Sequence, residues 1–143
     1  MEGGQKMSLD YNKPLPKPQK WSQEFWNGTK INKLLLKKCK ECGHLDFPPY
    51  MFCTECMSPE SEWVESTGKG IIYSFSTTYL GAPPAFIKGQ PYTLIFVDLE
   101  EGVRILSKIV DCEVTDVKIG MKVEAVFDAV TEDTTLVMFR PVK

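Results

Sequence analysis

The sequence predicts a mainly β protein, with a short helical segment at its N-terminal side and a metal-binding stretch between the two. Three observations carry this. Four cysteines stand as two Cys-x-x-Cys pairs, Cys39/Cys42 and Cys53/Cys56. After residue 68, five short runs are either alternating or wholly apolar, and turn residues separate them. Ahead of the cysteines, Trp21, Phe25 and Trp26 stand at helical spacing.

Residues 1–36 form the first zone. Residues 1–18 are polar and carry Pro14, Pro16 and Pro18, the composition of an extended lead-in. Trp21, Phe25 and Trp26 then fall at i, i+4 and i+5 and share one face of a helix, with Ser22 as its N-cap and Gly28 as its stop. A helix this short needs something to pack against. Its aromatics either cover the edge of the chain's own core or form a docking surface for a partner. The second reading makes Trp21, Phe25 and Trp26 candidate partner-binding residues.

Residues 37–67 form the second zone. Each Cys-x-x-Cys pair suits a tight turn that aims two sulfurs at one point, and two such turns complete a tetrahedral set. Four thiolates leave no open position, so the metal is structural, and zinc is the favoured ion. Iron, as in rubredoxins, fits the same geometry. Gly43 follows the first pair and is suited to a left-handed turn that aims its amide at a thiolate. Met57 takes the same place after the second pair, so that knuckle is expected to be less regular. His44 is the single histidine and is surplus to a filled shell.

Residues 68–143 form the third zone. The expected strands are 70–79, 92–99, 103–110, 122–130 and 134–140. Glu101-Gly102 and Glu132-Asp133 supply turns, and the longest connection, 111–121, lies between the third and fourth strands. Five strands without a long helix predict a small barrel, and an OB-fold is the natural candidate. Alternation points Ile71, Tyr73, Phe75, Leu94, Phe96, Ile105, Val123 and Phe127 into its core.

Composition narrows the function. The formal net charge of −2 and pI near 5.5 give no chain-wide attraction to nucleic acid. No apolar run reaches the ~18 residues that would cross a membrane. The N-terminus has no apolar signal-peptide core, so a cytoplasmic address is expected. In that setting five cysteines argue against disulfides, and Cys112 is left as a free thiol. No Ser/His/Asp series, P-loop or Gly-rich dinucleotide motif is present, which points away from an enzyme.

The ordered motifs Phe25-Trp26, LLLKKCKECGHLDFPPYMFCTEC, GKGIIYSFSTTY, PYTLIFVDLEEGVRILSKIVD, VKIGMKVEAVF and MFRPV extend over about residues 20–142. Together they resemble the family of rubredoxin-like zinc ribbon plus OB-fold proteins that accompany acyl-CoA enzymes. The resemblance implies a helical segment, a zinc ribbon and a C-terminal five-stranded OB barrel. It also implies a non-catalytic partner of a thiolase-like acyl-transfer enzyme in lipid or isoprenoid metabolism. In archaeal members of the family, that role is a bridge between an acetoacetyl-CoA thiolase and a hydroxymethylglutaryl-CoA (HMG-CoA) synthase.

Acyl-CoA or CoA is then the expected ligand. Its phosphates call for cations, and Lys33, Lys37, Lys38 and Lys40 form the densest basic run; Lys33, Lys37 and Lys38 are taken as ligand candidates. The competing reading is an edge strand protected by lysines. In the loop 80–91, Phe86 is a candidate wall for an acyl or pantetheine groove, against a plain flexible turn. Two other functions compete with this one. Single-stranded nucleic-acid binding would stack bases on Tyr73, Phe75, Tyr79 and Tyr92, and the acidic pI counts against it. Rubredoxin-like electron transfer would require iron.

Overall fold

The computed structural model describes residues 11–142. The first ten residues of the expected lead-in lie outside the described residues.

A 3₁₀ turn, Lys20–Ser22, leads into helix α1, Gln23–Lys30. Trp21 falls in the turn, so only Phe25 and Trp26 belong to α1. Ser22 stands at the N-cap, but its hydroxyl turns back: it accepts the Gln19 amide at 2.9 Å and donates to the Gln19 carbonyl at 3.1 Å. The helix does not stop at Gly28. It runs to Lys30, and the chain turns at Asn32, whose φ is 60°. Phe25 is buried, with its ring edge-on to Trp26 and Phe47 at centroid distances of 4.9 and 5.4 Å.

The ribbon sheet contains β1 (Leu35–Cys39), β2 (Leu45–Asp46) and β3 (Ser61–Glu65), all antiparallel, in the order β2-β1-β3. It begins two residues before the expected boundary at 37. The lysine-bearing strand β1 is therefore central, which removes the reading of Lys37 and Lys38 as guards of an edge.

The second sheet contains β4 (Lys69–Thr78), β5 (Tyr92–Leu99), β6 (Arg104–Lys108), β7 (Lys122–Ala129) and β8 (Thr135–Pro141), in the order β6-β5-β4-β7-β8. Its outer strands meet each other. Ile109 bridges Phe139, the Val110 amide donates to the Phe139 carbonyl at 2.7 Å, and the Ser107 hydroxyl donates to the Val137 carbonyl at 2.8 Å. The sheet thus closes into a nearly complete five-stranded barrel of OB type. Inside the sheet, β4 and β7 pair only over Lys69–Ile71, so the far half of β4 has β5 as its one ladder partner.

The interior is built from Ile72, Ile95, Val97, Leu99, Ile105, Val123 and Phe139, and Phe25, Leu34 and Leu36 continue the same core. Helix, ribbon and barrel therefore share one apolar centre. Ile105 and Val123 are buried as expected, and Phe127 packs against the core half-buried. The other five expected core residues are exposed: Ile71, Tyr73, Phe75, Leu94 and Phe96.

A β-bulge at Tyr73 explains part of this. The pairing of β4 with β5 shifts register between Ile72 and Ser74, so the period of two breaks inside the strand. Ile72 points inward opposite Val97. Phe75 lies opposite buried Ile95 but remains 39% exposed, because this half of β4 has no β7 neighbour to cover it. On β5 both faces are apolar, so alternation alone does not separate Thr93, Ile95, Val97 and Leu99, which are buried, from Leu94 and Phe96, which are not.

Candidate functional site

The two cysteine pairs sit on matched turns. In the first, the amides of Glu41 and Cys42 point at the Cys39 sulfur at 3.3 and 3.5 Å; in the second, those of Glu55 and Cys56 point at the Cys53 sulfur at the same distances. The Gly43 amide donates to the Cys39 carbonyl at 3.0 Å, and the Met57 amide to the Cys53 carbonyl at 2.9 Å. The amide of Gly43 thus goes to a carbonyl and not to a sulfur. Met57, with φ 66°, adopts the same left-handed turn as Gly43, with φ 79°. The second knuckle is as regular as the first, and it places a side chain where glycine costs least.

All four Sγ atoms lie within 4.8 Å of one another, with Cys39–Cys56 and Cys42–Cys53 at 3.6 Å. Zn–S bonds of about 2.3 Å in a tetrahedron place sulfurs about 3.8 Å apart, so the set fits zinc. The Cys42 and Glu41 amides draw the Cys39 thiol down to about 7. The Ser58 amide favours the Cys56 thiolate, yet the neighbouring thiols and burial push it up to about 12. Four sulfurs this close need a cation to be thiolates together. Zinc bound here supplies folding energy and has no open coordination position. His44 stays outside the set, half-exposed, with Nε2 3.4 Å from the Asp46 carboxylate. Cys112 lies elsewhere, against the barrel core.

A groove of about 590 Å³ lies between the helical segment, the Phe47-Pro48-Pro49 turn and the barrel. Trp21, Trp26, Phe47, Leu106 and Met138 are among its walls, and Phe86 and Lys108 border it. The structure thus brings the helix aromatics and Phe86 to one cavity. It does not bring Lys33, Lys37 and Lys38 there. Lys37 donates to the Tyr50 carbonyl at 2.7 Å and stands 5.7 Å over the Trp63 ring, and burial pushes its pKa down. Lys33 is exposed. Phe25 is a core residue, not a surface anchor.

Sequence reasoning missed an exposed apolar face on β4, β5 and β6. Phe96 pairs with Leu106 and Leu94 with Lys108 on its outward side, and Ile71 and Tyr73 extend it. Arg104 lies 3.4 Å over the Tyr73 ring and grips the Asp98 carboxylate with two hydrogen bonds, at 2.6 and 3.1 Å. Those bonds hold the Asp98 carboxyl below its usual range. The signal was the two-faced apolar run of β5, which marks a strand with something to cover on each side.

Comparison with known proteins agrees with this architecture. The family model described as ChsH2, rubredoxin-like zinc ribbon domain, matches residues 26–62, and that described as ChsH2, C-terminal OB-fold domain, matches residues 63–128. A DUF35 domain-containing scaffold protein of Methanocaldococcus jannaschii is 44% identical over 97 residues, which is 67% of this chain and 68% of that relative. The chain belongs to the DUF35 scaffold family. Among other relatives, a benzoylsuccinyl-CoA thiolase subunit, BbsA, of Geobacter metallireducens is 40% identical over 72 residues, half of this chain and 47% of that subunit. A solved chain of the Ltp2-ChsH2(DUF35) aldolase superposes with a TM-score of 0.80 at 29% identity, covering 89% of this chain and 98% of that one. Strand β8 of this chain, Thr135–Pro141, lies beyond the matched OB-fold residues and still completes the barrel. Among the described residues, no helix is long and apolar enough to cross a membrane.

Proposed function

We propose that this chain is a non-catalytic zinc-ribbon subunit that docks on a thiolase-like acyl-CoA enzyme and lines part of the site for its acyl-CoA. The observation that carries the reading is the exposed apolar sheet face: Ile71, Tyr73, Leu94, Phe96 and Leu106 are each 40–56% exposed. A contiguous apolar face rimmed by charge marks an interaction surface. The relatives are a scaffold protein, a thiolase subunit and a chain of an aldolase assembly, which supports an enzyme subunit as the partner. The family resemblance extends the reading to a bridge between a thiolase and an HMG-CoA synthase in an isoprenoid or lipid pathway.

The groove supports the ligand half of the reading. Its walls are apolar and aromatic, which suits an acyl-pantetheine arm. Trp21 and Trp26 serve it as walls, a role that replaces the partner-anchoring helix face once Phe25 is in the core. Nucleic-acid binding receives less support. Arg104 stands over one face of the Tyr73 ring, and its charge, which would meet a phosphate, is paired with Asp98.

The test is co-expression with a thiolase-type enzyme from the same genome, followed by a sizing column. The chain is expected to co-elute with the enzyme. A Phe96→Glu/Leu106→Glu variant is expected to keep its zinc and its β circular dichroism but elute alone. Co-elution of that variant at wild-type strength would defeat the docking face.

A further inference from the structure

A second cavity, of about 390 Å³, opens on the same side of the barrel. It shares Phe86, Leu94, Lys108, Leu136 and Met138 with the apolar groove, so the two are continuous. Its chemistry is different. The Phe86 and Tyr92 rings stand 6.3 Å apart, tilted by 52°. The Lys13 ammonium lies 5.7 Å from the Phe86 centroid and 6.0 Å from that of Tyr11. The Lys108 ammonium lies 5.8 Å from the Tyr92 centroid. Three rings and two cations therefore surround one space, and Tyr11 and Lys13 reach it from the segment that precedes the helix.

Among the described residues, the charge lining this space is unbalanced. Asp128 is the acidic residue in its wall, facing two ammoniums. Among the described residues, neither Lys13 nor Lys108 has a carboxylate within 4.0 Å. Burial pushes the Lys108 pKa down, and the charge of Lys13 acts in the same direction against Asp128. Two like charges gathered at a half-buried site are relieved by a bound anion. The neighbouring rings offer a flat aromatic group a stacking partner.

We propose that this cavity binds the adenosine-phosphate end of a CoA thioester, with the base against the Phe86–Tyr92 pair and the phosphates at Lys13 and Lys108. The inference rests on the acyl-CoA reading above and specifies which end of the ligand lies where. The apolar groove takes the pantetheine and acyl arm, and the lysine-bearing cavity takes the nucleotide. The N-terminal segment then serves as a binding wall, because it supplies Tyr11 and Lys13.

The probe is adenosine 3′,5′-bisphosphate, which has the base and phosphates but no pantetheine. It is titrated calorimetrically into the full zinc-loaded chain. Binding is expected, and it weakens as salt rises. Lys13→Gln and Lys108→Gln are each expected to weaken it by roughly tenfold, the scale of one lost charged hydrogen bond. Lys118→Gln, outside the cavity, leaves it unchanged. Zinc content and circular dichroism show whether each variant is folded; if Lys108→Gln is not, Lys13→Gln decides alone. No binding by the wild-type chain, or wild-type affinity in Lys13→Gln, overturns the inference. Co-elution with the thiolase-type enzyme is read separately. If the bisphosphate fails and co-elution holds, only the nucleotide site falls; if both fail, the acyl-CoA reading falls with it.

Discussion

The Thr54 hydroxyl donates to the Asp46 carboxylate at 2.6 Å, and the Thr54 amide meets its other oxygen at 3.3 Å. Thr54 lies inside the second cysteine pair and Asp46 ends β2, beyond the first. One buried carboxylate thus ties the two knuckles together. Asp46→Ala removes this tie and leaves the Thr54 groups without their acceptor, at a cost of about 1–3 kcal/mol. Zinc is expected to transfer to a competing chelator roughly tenfold more readily than from the wild type. Unchanged zinc retention would show that the knuckles hold their relative position without Asp46.

Removing a ligand has a larger effect. Cys39→Ser or Cys53→Ser is expected to release zinc and unfold the ribbon, because metal binding here is folding energy. Cys112→Ser keeps one zinc per chain. Metal analysis of the three purified variants checks both statements, and full zinc in a Cys39→Ser/Cys53→Ser double variant would overturn the ligand set.

Met57 holds a left-handed φ with its side chain 68% exposed. The side chain gains little packing to offset that conformation, which costs a non-glycine residue about 1–2 kcal/mol. Met57→Gly is therefore expected to stabilise the ribbon by about 1 kcal/mol, less the added freedom of the unfolded chain. Urea unfolding of the zinc-loaded protein measures it, and a lowered midpoint would contradict it.

The two faces of β5 give opposite results. Ile95 is fully buried, so Ile95→Ala is expected to cost about 2–5 kcal/mol. Phe96 is 41% exposed, so Phe96→Ala costs less than about 1.5 kcal/mol and its main effect falls on partner binding. Equal losses at the two positions in urea unfolding would mean that Phe96 is covered within the isolated chain.

Gly70 has no room for a side chain, because a Cβ there would collide with the Asp98 carbonyl of the paired strand. Gly70→Ala is expected to push β4 off β5 and destabilise the barrel by more than about 1 kcal/mol, while the cysteine pairs remain as they are. Thermal unfolding checks the loss, and an unchanged midpoint would show that the strands yield without cost.

The sequence by itself determined the metal centre, the five strands and their order along the chain. Those features are local: Cys-x-x-Cys sets two sulfurs on one turn, and strand runs are bounded by their own turn residues. It also singled out Phe86 and the helix aromatics, which the structure gathers around one groove, with the Phe25 ring buried in the core behind it. Tertiary structure decided the rest. The bulge at Tyr73 reversed which residues of β4 face inward, and β5, apolar on both sides, gave alternation nothing to distinguish. The core location of Phe25 depended on Phe47, more than twenty residues away, arriving against its ring. Lys13 and Lys108 stand far apart in sequence, and only closure of the barrel with the N-terminal segment alongside puts both cations on one aromatic pair. Periodicity reports which residues alternate along a strand, but which face is covered depends on what packs against it from elsewhere in the chain.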